Sequence, residues 1–483
     1  MNLKPYPEYK DSGVAWLGKV PKHWEMRKTK YLSEINPSIK TIENERTRVS
    51  FVPMERTREN YPFFNPKNRA YKEVRTGFTC FQDNDILIAK ITPCFENGKG
   101  GICLNLVNGI GFGSTEFHVI RTKSLLEKAF FYYVTISKSF RNYGAENMQG
   151  SAGQKRVPTD FIKNLVLAFP STSEQLLIAR FLDYKTAQIT RFIKAKKRMI
   201  ELLKEQKQVI INDAVTGKIV IKDEGGRLKA EKRPDSSFIP HPSSFLQTVP
   251  EGWEVKRIKS ISHIRYGLGQ PPKEKEDGLP LIRATNVDHG KIVVKDLLRI
   301  DINDVPASRN AVLREGEIIV VRSGAYTADS AIIPKEFTGS VAGYDMVMTV
   351  FKAMPEYVAL ALLSKYLRDD QLIQASMRAA QPHLNKEELG SSFIILPQNE
   401  EQETIVLVTE KKLNALDQAI SRTEREIALI QEYRTRLISD VVTGKIDVRD
   451  IEIPDIANID DTIDESIEEP EGEEELETAE AEA

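Results

Sequence analysis

The feature that most constrains this chain is a stretch of sequence that occurs twice. Residues 173–220 recur 227 positions later, so that Glu174-Gln175 falls on Glu401-Gln402. With no gap in between, the same shift places Val215-Thr-Gly-Lys-Ile219 on Val442-Thr-Gly-Lys-Ile446. A chain with such an internal repeat builds the same structural unit twice. We therefore predict a fold with pseudo-twofold symmetry.

Each copy of this stretch carries an apolar stripe. Its positions follow one another at intervals of four, seven, three and seven residues, which is the a/d pattern of a coiled coil. The intervening residues are mostly good helix formers, and a helix of about 40 residues would be roughly 60 Å long. We predict that the two helices pair antiparallel as a rigid spacer. The predicted pairing residues are Ile189, Ile193, Ile200, Leu203 and Ile210 in the first copy, and Leu416, Ile420, Ile427, Ile430 and Leu437 in the second.

The repeat extends into the sequence that precedes each helix. Val20-Pro-Lys-His-Trp-Glu25 is echoed by Val249-Pro-Glu-Gly-Trp-Glu254. Further along, Thr115-Glu-Phe117 occupies the position that Tyr344-Asp-Met346 occupies in the second copy. The shift between copies varies here, which indicates that the two halves differ mainly by insertions and deletions in loops.

The two halves outside the long helices are predicted to be strand-rich mixed domains. Short β-branched runs are separated by Gly, Asn and Pro turns, and one helix is expected in each half, at 125–143 and 355–377. The fold class is therefore α+β, with two tandem mixed α/β domains, each followed by a long helix. The predicted boundaries are a first globular domain at 1–170, a first spacer helix at 171–220, a linker at 221–247, a second globular domain at 248–397, a second spacer helix at 398–446 and an acidic tail at 447–483, which its composition predicts to be disordered.

Length and composition are those of a globular protein of about three domains. No apolar run approaches the roughly 18 residues of a membrane-spanning helix, and the first residues lack the apolar core of a signal peptide. Cys80, Cys94 and Cys103 are odd in number and lack the CxxC spacing of zinc sites. These features favour a cytoplasmic location, where thiols stay reduced.

The net charge of −2 conceals two regions of opposite charge. Residues 450–483 contain 16 acidic residues and no Lys or Arg. The other 449 residues therefore carry all 68 basic residues and the remaining 54 acidic ones, a net charge of +14. A basic body favours a polyanionic partner, because Lys and Arg displace the counterions of phosphate groups. Charge alone also leaves a solvated basic surface open.

The sequence lacks the motifs of a self-sufficient enzyme. Its six histidines are scattered and form no HExxH motif, so no metal site is expected. Neither a Walker A motif nor the Asn-Pro-Pro-aromatic motif of an amino-methyltransferase is present. Residues 109–113, Gly-Ile-Gly-Phe-Gly, precede a strand-like segment, whereas a dinucleotide site needs a helix N-terminus for its phosphates. A tight turn is therefore favoured there, and we expect the chain alone to catalyse nothing.

Taken together, these motifs resemble the specificity subunit of type I restriction-modification systems. Tyr9-Lys-Asp-Ser-Gly-Val-Ala-Trp-Leu-Gly18, followed by Pro21-Lys-His-Trp-Glu25, is similar to the N-terminus of that family. The pattern of Pro, then Glu-Gln, then a long helix ending in Val-Thr-Gly-Lys-Ile resembles the family's repeat boundary at both places. The resemblance covers residues 1 to 446 and does not extend to the acidic tail.

The resemblance implies a non-catalytic subunit of a restriction endonuclease and adenine-N6 DNA methyltransferase complex. Each globular half would be a target recognition domain that reads one part of a split, asymmetric sequence in double-stranded DNA. The paired helices would set the gap between the two parts and dock two methyltransferase subunits, and two motor-nuclease subunits would join for cleavage. This chain would hold no cofactor, since S-adenosylmethionine, ATP and Mg²⁺ would belong to the partner subunits.

Reading of bases requires Arg, Lys, Asn or Gln at base edges, supported by Lys and Arg on phosphates. We predict these residues in loops at strand ends and just before the closing strand of each half. For any single residue, a solvated loop position is the alternative. The predicted DNA-binding residues are Arg56, Lys90, Thr92, Gln154, Lys155 and Arg156 in the first half, and Arg283, Asn286, Arg322, Ser323, Tyr326, Gln381 and His383 in the second.

Two other classes of function make predictions that differ from those of DNA reading. A non-catalytic coiled-coil scaffold would bind protein partners, with little effect of salt and no affinity for DNA. A self-sufficient methyltransferase or nuclease is disfavoured by the missing motifs. DNA reading predicts an affinity that falls steeply as the salt concentration rises.

Overall fold

The computed structural model divides into two compact units. The first combines Met1–Ala195 with Arg425–Ala483, and the second is Lys196–Glu424. Each unit therefore contains one globular half of the chain, the first part of one long helix and the last part of the other. The structure describes residues 3–38, 42–57, 66–151, 153–223, 228–241, 246–269, 273–377 and 382–454.

The globular part of the first unit is built on two four-stranded sheets. One has the strand order β4-β11-β8-β9 and is antiparallel throughout. The other has the order β6-β5-β10-β7, with β5 parallel to β10. The strands are β1 (Tyr9–Asp11), β2 (Lys19–Pro21), β3 (Glu25–Lys28), β4 (Ser33–Ile35), β5 (Arg48–Val52), β6 (Lys67–Ala70), β7 (Thr79–Gln82), β8 (Ile86–Ala89), β9 (Gly100–Ile102), β10 (Ile110–Gly113), β11 (Phe117–Thr122) and β12 (Val166–Phe169).

The second unit repeats this plan. An antiparallel sheet has the order β18-β26-β23-β24, and a second sheet has the order β22-β19-β25, with β19 parallel to β25. The strands are β13 (Ile219–Asp223), β14 (Leu228–Lys232), β15 (Phe238–Pro240), β16 (Thr248–Pro250), β17 (Glu254–Arg257), β18 (Ser262–Tyr266), β19 (Glu274–Ile282), β20 (Val287–Asp288), β21 (Lys291–Ile292), β22 (Leu298–Ile300), β23 (Ile318–Val320), β24 (Ser330–Ile332), β25 (Val341–Ala342), β26 (Met346–Val350) and β27 (Phe393–Leu396).

The central strands of the two antiparallel sheets are equivalent in register. In the first unit Leu87 lies opposite Val119, and in the second Ile319 lies opposite Val347. All four side chains are fully buried, as are the neighbours that point to the other face of each sheet. Because both faces of each sheet are covered, these strands are apolar at consecutive positions and do not alternate between apolar and polar residues.

The helices follow the predicted pattern, but the helix predicted within each half is interrupted. The segment 125–143 forms two helices that break at Ser137, whose Oγ accepts the Phe140 N–H at 3.4 Å. The segment 355–377 contains two α-helices on either side of a π-helix at Lys365–Ile373. The α-helices are α1 (Thr29–Leu32), α2 (Tyr71–Val74), α3 (Lys128–Ile136), α4 (Lys138–Glu146), α5 (Thr159–Asn164), α6 (Thr172–Val215), α7 (Pro355–Leu362), α8 (Gln374–Ser376), α9 (Lys386–Ser391) and α10 (Asn399–Val442).

The two long helices, α6 and α10, pack together as predicted. Each has 44 residues, which corresponds to about 66 Å. In the first unit Ile178 and Leu182 of α6 share a hydrophobic cluster with Leu437 of α10. In the second unit Ile211 of α6 shares one with Ile405 of α10. The start of each helix thus lies beside the end of the other, and all ten predicted stripe residues are buried or half-buried.

The glycine after each long helix explains why the motif at the helix end and the Trp motif recur together in the two copies. Gly444 has a φ of +76°, and a Cβ at this position would lie 2.3 Å from Pro21 and 3.3 Å from Trp24. Gly217 has a φ of +71°, and its Cβ would lie 3.1 Å from Trp253. Only glycine combines this backbone conformation with such a close approach. The Val-Thr-Gly-Lys-Ile motif therefore packs against the Trp of the Val-Pro-x-x-Trp-Glu motif in both units.

Each globular part is also bonded to the spacer helices. In the first unit the Tyr133 hydroxyl donates to Asp183 of α6 at 2.6 Å, and burial raises the pKa of that carboxyl group. In the second unit Asp417 of α10 forms ion pairs with Lys207 of α6 and with Lys291 of β21. The pKa of Asp417 is lowered because hydrogen bonds from both lysines outweigh the opposing effect of its burial. These bonds tie each globular part to the long helices of its own unit.

The segment 221–247, predicted as a linker, contains ordered strands. β13 and β14 form an antiparallel hairpin with Val220 opposite Glu231, and β15 pairs with β16. In the first unit the residues after α10 pair with the N-terminal segment, through a bridge between Lys4 and Asp447. The predicted tail is described only to Pro454, so the disorder predicted for 455–483 lies outside the described residues.

Candidate nucleic-acid interface

In the first unit the structure brings together two of the predicted reading segments. The loop after β8 carries Lys90 and Thr92, and the segment before α5 carries Lys155 and Arg156. The Val157 N–H donates to the Lys90 carbonyl at 2.8 Å, and the Thr92 N–H donates to the Lys155 carbonyl at 3.0 Å. Backbone hydrogen bonds therefore hold the two segments side by side as one surface.

The second unit joins the equivalent segments in the same way. The Leu384 N–H donates to the Arg322 carbonyl at 2.7 Å, and Ser323 forms a β-bridge with His383. Arg322 thus corresponds to Lys90, and His383 to a residue of the segment before α5. Gln381 lies outside the described residues.

The Arg322 side chain is held in a fixed orientation. Its guanidinium carbon lies 4.6 Å from the ring centroid of Tyr266 and 4.3 Å from that of Tyr344. One Nη contacts Nε2 of His383 at 2.8 Å, and Nε has no hydrogen-bond partner within the described structure. Cation–π contacts with two rings stabilise the guanidinium, so the orientation is set before any ligand arrives. A planar guanidinium held in this way can donate two parallel hydrogen bonds, as in Arg–guanine pairs.

Arg156 of the first unit, which occupies the position of His383, is bound to an acid of its own unit. Nε and an Nη of Arg156 donate to the Glu116 carboxylate at 3.0 and 2.9 Å, and the hydrogen bond to Glu116 raises the pKa of Arg156. The Lys90 N–H also donates to the Glu116 carbonyl, at 2.8 Å. Gln154 and Lys155 beside this pair are exposed. The first unit therefore offers Lys155 and Gln154 to a ligand, whereas Arg156 is already bound to Glu116 and the Thr92 hydroxyl donates to Glu96 at 3.0 Å.

A third predicted loop occupies equivalent positions in the two units. A short 3₁₀ turn at Met54–Arg56 follows β5, and another at Ala284–Asn286 follows β19. Both parent strands pair in parallel with their neighbours, so the proposed correspondence between these two loops is confirmed. Arg56 and Arg283 are both half-buried.

Asn286 does not fit its predicted role. The side chain is fully buried, and its amide nitrogen donates to the carbonyls of Val293 and Lys295 at 3.2 and 2.8 Å. Its amide oxygen accepts the Arg283 N–H at 3.2 Å. With every polar atom used inside the loop, Asn286 shapes the loop and is not available to a base edge. A polar residue in a loop is expected to be exposed, but here the amide of Asn286 forms its hydrogen bonds with the backbone of its own loop.

Several residues of the surface escaped prediction. Tyr266 and Tyr344 clamp Arg322, and Tyr344 is 48% exposed, as is the predicted residue Tyr326. Asp345 lies beneath them, 2% exposed. The repeat comparison contained the signal for Asp345, since it aligns Thr115-Glu-Phe117 with Tyr344-Asp-Met346. No sequence pattern indicated Tyr266, which meets Arg322 only through the sheet.

The outer face of the spacer helices carries exposed apolar residues in both units, and one pair of them is equivalent in the repeat. On α6, Met199, Leu202 and Val209 are exposed at intervals of three and seven residues, off the pairing stripe. On the first-unit part of α10, Leu429 and Tyr433 are exposed. Leu202 and Leu429 are 227 positions apart, which is the period of the repeat. Each unit therefore presents an apolar helix face that the described chain leaves uncovered.

Neither a metal site nor a nucleotide-binding turn is found among the described residues. Among them, no group of three or more His, Cys, Asp or Glu side chains is placed to hold a metal ion. Residues 110–113 of the glycine-rich run form β10, where a Cβ on Gly111 would lie 2.2 Å from the Phe81 ring. The glycine is thus required by packing inside the sheet. No helix in the described part of the chain is long and apolar enough to cross a membrane.

These features define a class of protein in which two mixed α/β domains present polar loops and each domain is joined to one of two paired helices. The family model for the type I restriction modification DNA specificity domain matches the chain twice, at residues 21–202 and 250–432. These two matches cover most of the chain.

Relatives with known names agree with this class. The EcoAI specificity subunit of Escherichia coli is 27% identical, with 88% of this chain and 84% of that protein covered. The MjaIX specificity subunit of Methanocaldococcus jannaschii is 22% identical, with 92% and 98% covered. A chain from a structural study of complex assembly in a type I R-M system has a TM-score of 0.64 at 16% identity, covering 88% of this chain and 99% of that one. The last comparison supports the fold.

This chain belongs to the family of type I restriction-modification specificity subunits. The resemblance expected from the repeat and its boundary motifs is confirmed. Members of this class are non-catalytic and supply DNA sequence specificity, so no reaction is assigned to the loops described above.

Proposed function

We propose that this chain reads a bipartite, asymmetric sequence in double-stranded DNA, with one half-site for each unit. The observation that carries the proposal is the repeated pairing of a strand-end loop with the segment before α5 or α9. Lys90 and Ile91 stand in the first unit where Arg322 and Ser323 stand in the second. The same scaffold thus carries different side chains, as two different half-sites require.

The electrostatics support a nucleic-acid partner. Residues 1–449 carry a net charge of +14. Contacts with phosphates release counterions, so affinity for DNA should fall steeply with rising salt. In the second unit Arg322 is the residue best oriented to read a base, and guanine in the major groove is its expected partner.

The spacer helices would serve two purposes in this proposal. Their bonds to the globular parts hold each reader at a fixed place, which sets the gap between the half-sites. Their exposed apolar faces around Leu202 and Leu429 would dock two methyltransferase subunits. Two motor-nuclease subunits would join this core, and S-adenosylmethionine, ATP and Mg²⁺ would be bound by those partners. The location would be cytoplasmic, with access to DNA.

The proposed DNA reading is tested by selecting DNA from a random duplex pool with the complex of this chain and its methyltransferase subunit. The expected result is enrichment of one split sequence, and binding that weakens steeply between low and physiological salt. Arg322→Ala should relax one half-site only. A scaffold would enrich no sequence and bind its protein partner with little dependence on salt. If Arg322→Ala relaxed both half-sites equally, the two-reader arrangement would be wrong.

The docking surface is tested by placing a charge on it. Leu202→Asp and Leu429→Asp should each remove one methyltransferase subunit, and the double variant should remove both. Native mass spectrometry of the assembled complex measures the number of bound subunits. Leu407→Asp is the matched control, because Leu407 is an exposed leucine of α10 outside the equivalent pair. Equal loss of subunits in the control would contradict the assignment.

A further inference from the structure

One buried acid in the second unit belongs to a segment that is hydrogen-bonded beside both candidate reading loops. Asp345 lies between β25 and β26 and is 2% exposed. Its Oδ1 accepts the backbone N–H of Arg322 at 3.2 Å, and two residues earlier the Gly343 N–H donates at 2.8 Å to the carbonyl of Ile282, which directly precedes the Arg283 loop. The Asp345 carbonyl accepts the Gly267 N–H at 2.9 Å. Three segments that come from separate strands therefore meet at this segment.

The carboxylate of Asp345 is hydrogen-bonded to the backbone of Arg322. Burial raises the pKa of the Asp345 carboxyl group to about 6, while the hydrogen bond from the Arg322 N–H and the positive charge of Arg322 act in the opposite direction. The other groups around Arg322 are the rings of Tyr266 and Tyr344 and the imidazole of His383. A buried carboxylate is unfavourable unless hydrogen bonds and nearby positive charge offset its desolvation, and Arg322 supplies both in part.

We propose that Asp345 is the positioning residue of the second reading surface, locking the Arg322 loop into one arrangement on DNA beside the Arg283 loop. The inference rests on the proposed function and goes beyond it, because Asp345 would touch no base. Loss of the lock would leave the Arg322 guanidinium between Tyr266 and Tyr344 but would free the backbone N–H of Arg322, so that the guanidinium is placed less accurately against a base edge and discriminates less between bases.

The first unit supplies a matched comparison. Glu116 aligns with Asp345 in the repeat, and its carbonyl accepts the Lys90 N–H. Its carboxylate, however, binds the Arg156 side chain and no backbone of a second loop within the described contacts. A change at Glu116 should therefore affect only the half-site that the first unit reads.

The experiment compares complexes of the full chain and its methyltransferase subunit in selection from random duplex DNA. Asp345→Ala should lose about tenfold or more of its base discrimination in one half-site, which is on the order of the contribution of one base contact. Its discrimination in the other half-site should be unchanged. Asp345→Asn keeps the hydrogen-bond acceptor without the charge and should lose about threefold. Glu116→Gln should affect the opposite half-site. Thermal unfolding of each complex establishes that the variants are folded.

Each outcome decides a different claim. A wild-type complex that enriches no split sequence refutes the proposed function, and the role of Asp345 with it. If the wild type selects such a sequence while folded Asp345→Ala leaves both half-sites unchanged, or weakens both equally, the positioning role alone is refuted. If Asp345→Ala does not fold and Asp345→Asn discriminates like the wild type, Asp345 is a structural residue only.

Discussion

The glutamine of the repeated Glu-Gln pair is expected to hold each globular part onto its long helix. Gln175 is fully buried at the start of α6. Its Oε1 accepts the Glu127 N–H at 2.8 Å, and its Nε2 donates to the carbonyls of Leu125 and Pro170, both at 2.9 Å. Gln402 makes two of these bonds in the second unit, where its Oε1 accepts the Met354 N–H and its Nε2 donates to the Pro397 carbonyl, both at 2.9 Å. One side chain thus joins α6 to the entry of α3 and to the end of β12.

Gln175→Ala should destabilise the first unit by about 2–4 kcal/mol. Three hydrogen bonds at about 1 kcal/mol each are lost, and a backbone N–H and two carbonyls are left buried without a partner. Gln188→Ala is the control, since Gln188 is an exposed residue of the same helix. Because the substitution and the helical context are the same, the control should cost about 0.5 kcal/mol or less.

Urea unfolding followed by tryptophan fluorescence measures this difference. The chain has three tryptophans, of which Trp16 and Trp24 lie in the first unit and Trp253 in the second. In a Trp253→Phe background the fluorescence reports on the first unit alone. A cost for Gln175→Ala no larger than that for Gln188→Ala would refute the account of the repeated pair.

Three further predictions concern DNA. As the pH falls through about 6, protonation of Asp345 should weaken reading by the second unit and spare the first, as measured by binding to single-half-site variants. Because this raised pKa favours the protonated folded state, the group adds stability as the pH falls, so unfolding would not explain the loss. Deleting residues 455–483 removes 14 acidic residues, changes the net charge from −2 to +12, and should tighten binding to non-specific DNA, as measured by fluorescence anisotropy. Removing one heptad from each of α6 and α10 shortens the spacer by about 10 Å and should narrow the selected gap by about three base pairs, with both half-sites unchanged.

Much of the architecture was predictable because repeats and heptads are local sequence patterns. The a/d stripe predicts the two long helices and their pairing, and the short β-branched runs predict the central strands. The loop positions of the segments around Lys90 and Arg322 were predictable because strand ends and turn residues mark loops. The repeat itself then predicted which loops correspond.

What escaped prediction depends on contacts between distant segments. Asn286 was expected on the surface because the sequence does not show that two nearby carbonyls take its amide. Tyr266 and Asp345 are brought to Arg322 by the pairing of β18, β23 and β26, which no local pattern encodes. The breaks at Ser137 and in the π-helix follow from capping and packing within the core, where tertiary contacts override helix propensity.

The most direct test of the central claim is a map of methylated bases in cells that express this chain with its methyltransferase subunit. We predict one split motif, methylated on both strands, with a single gap length. A stable complex that methylates no defined sequence, or a single contiguous motif, would contradict the claim that two units separated by a rigid helix pair read two half-sites.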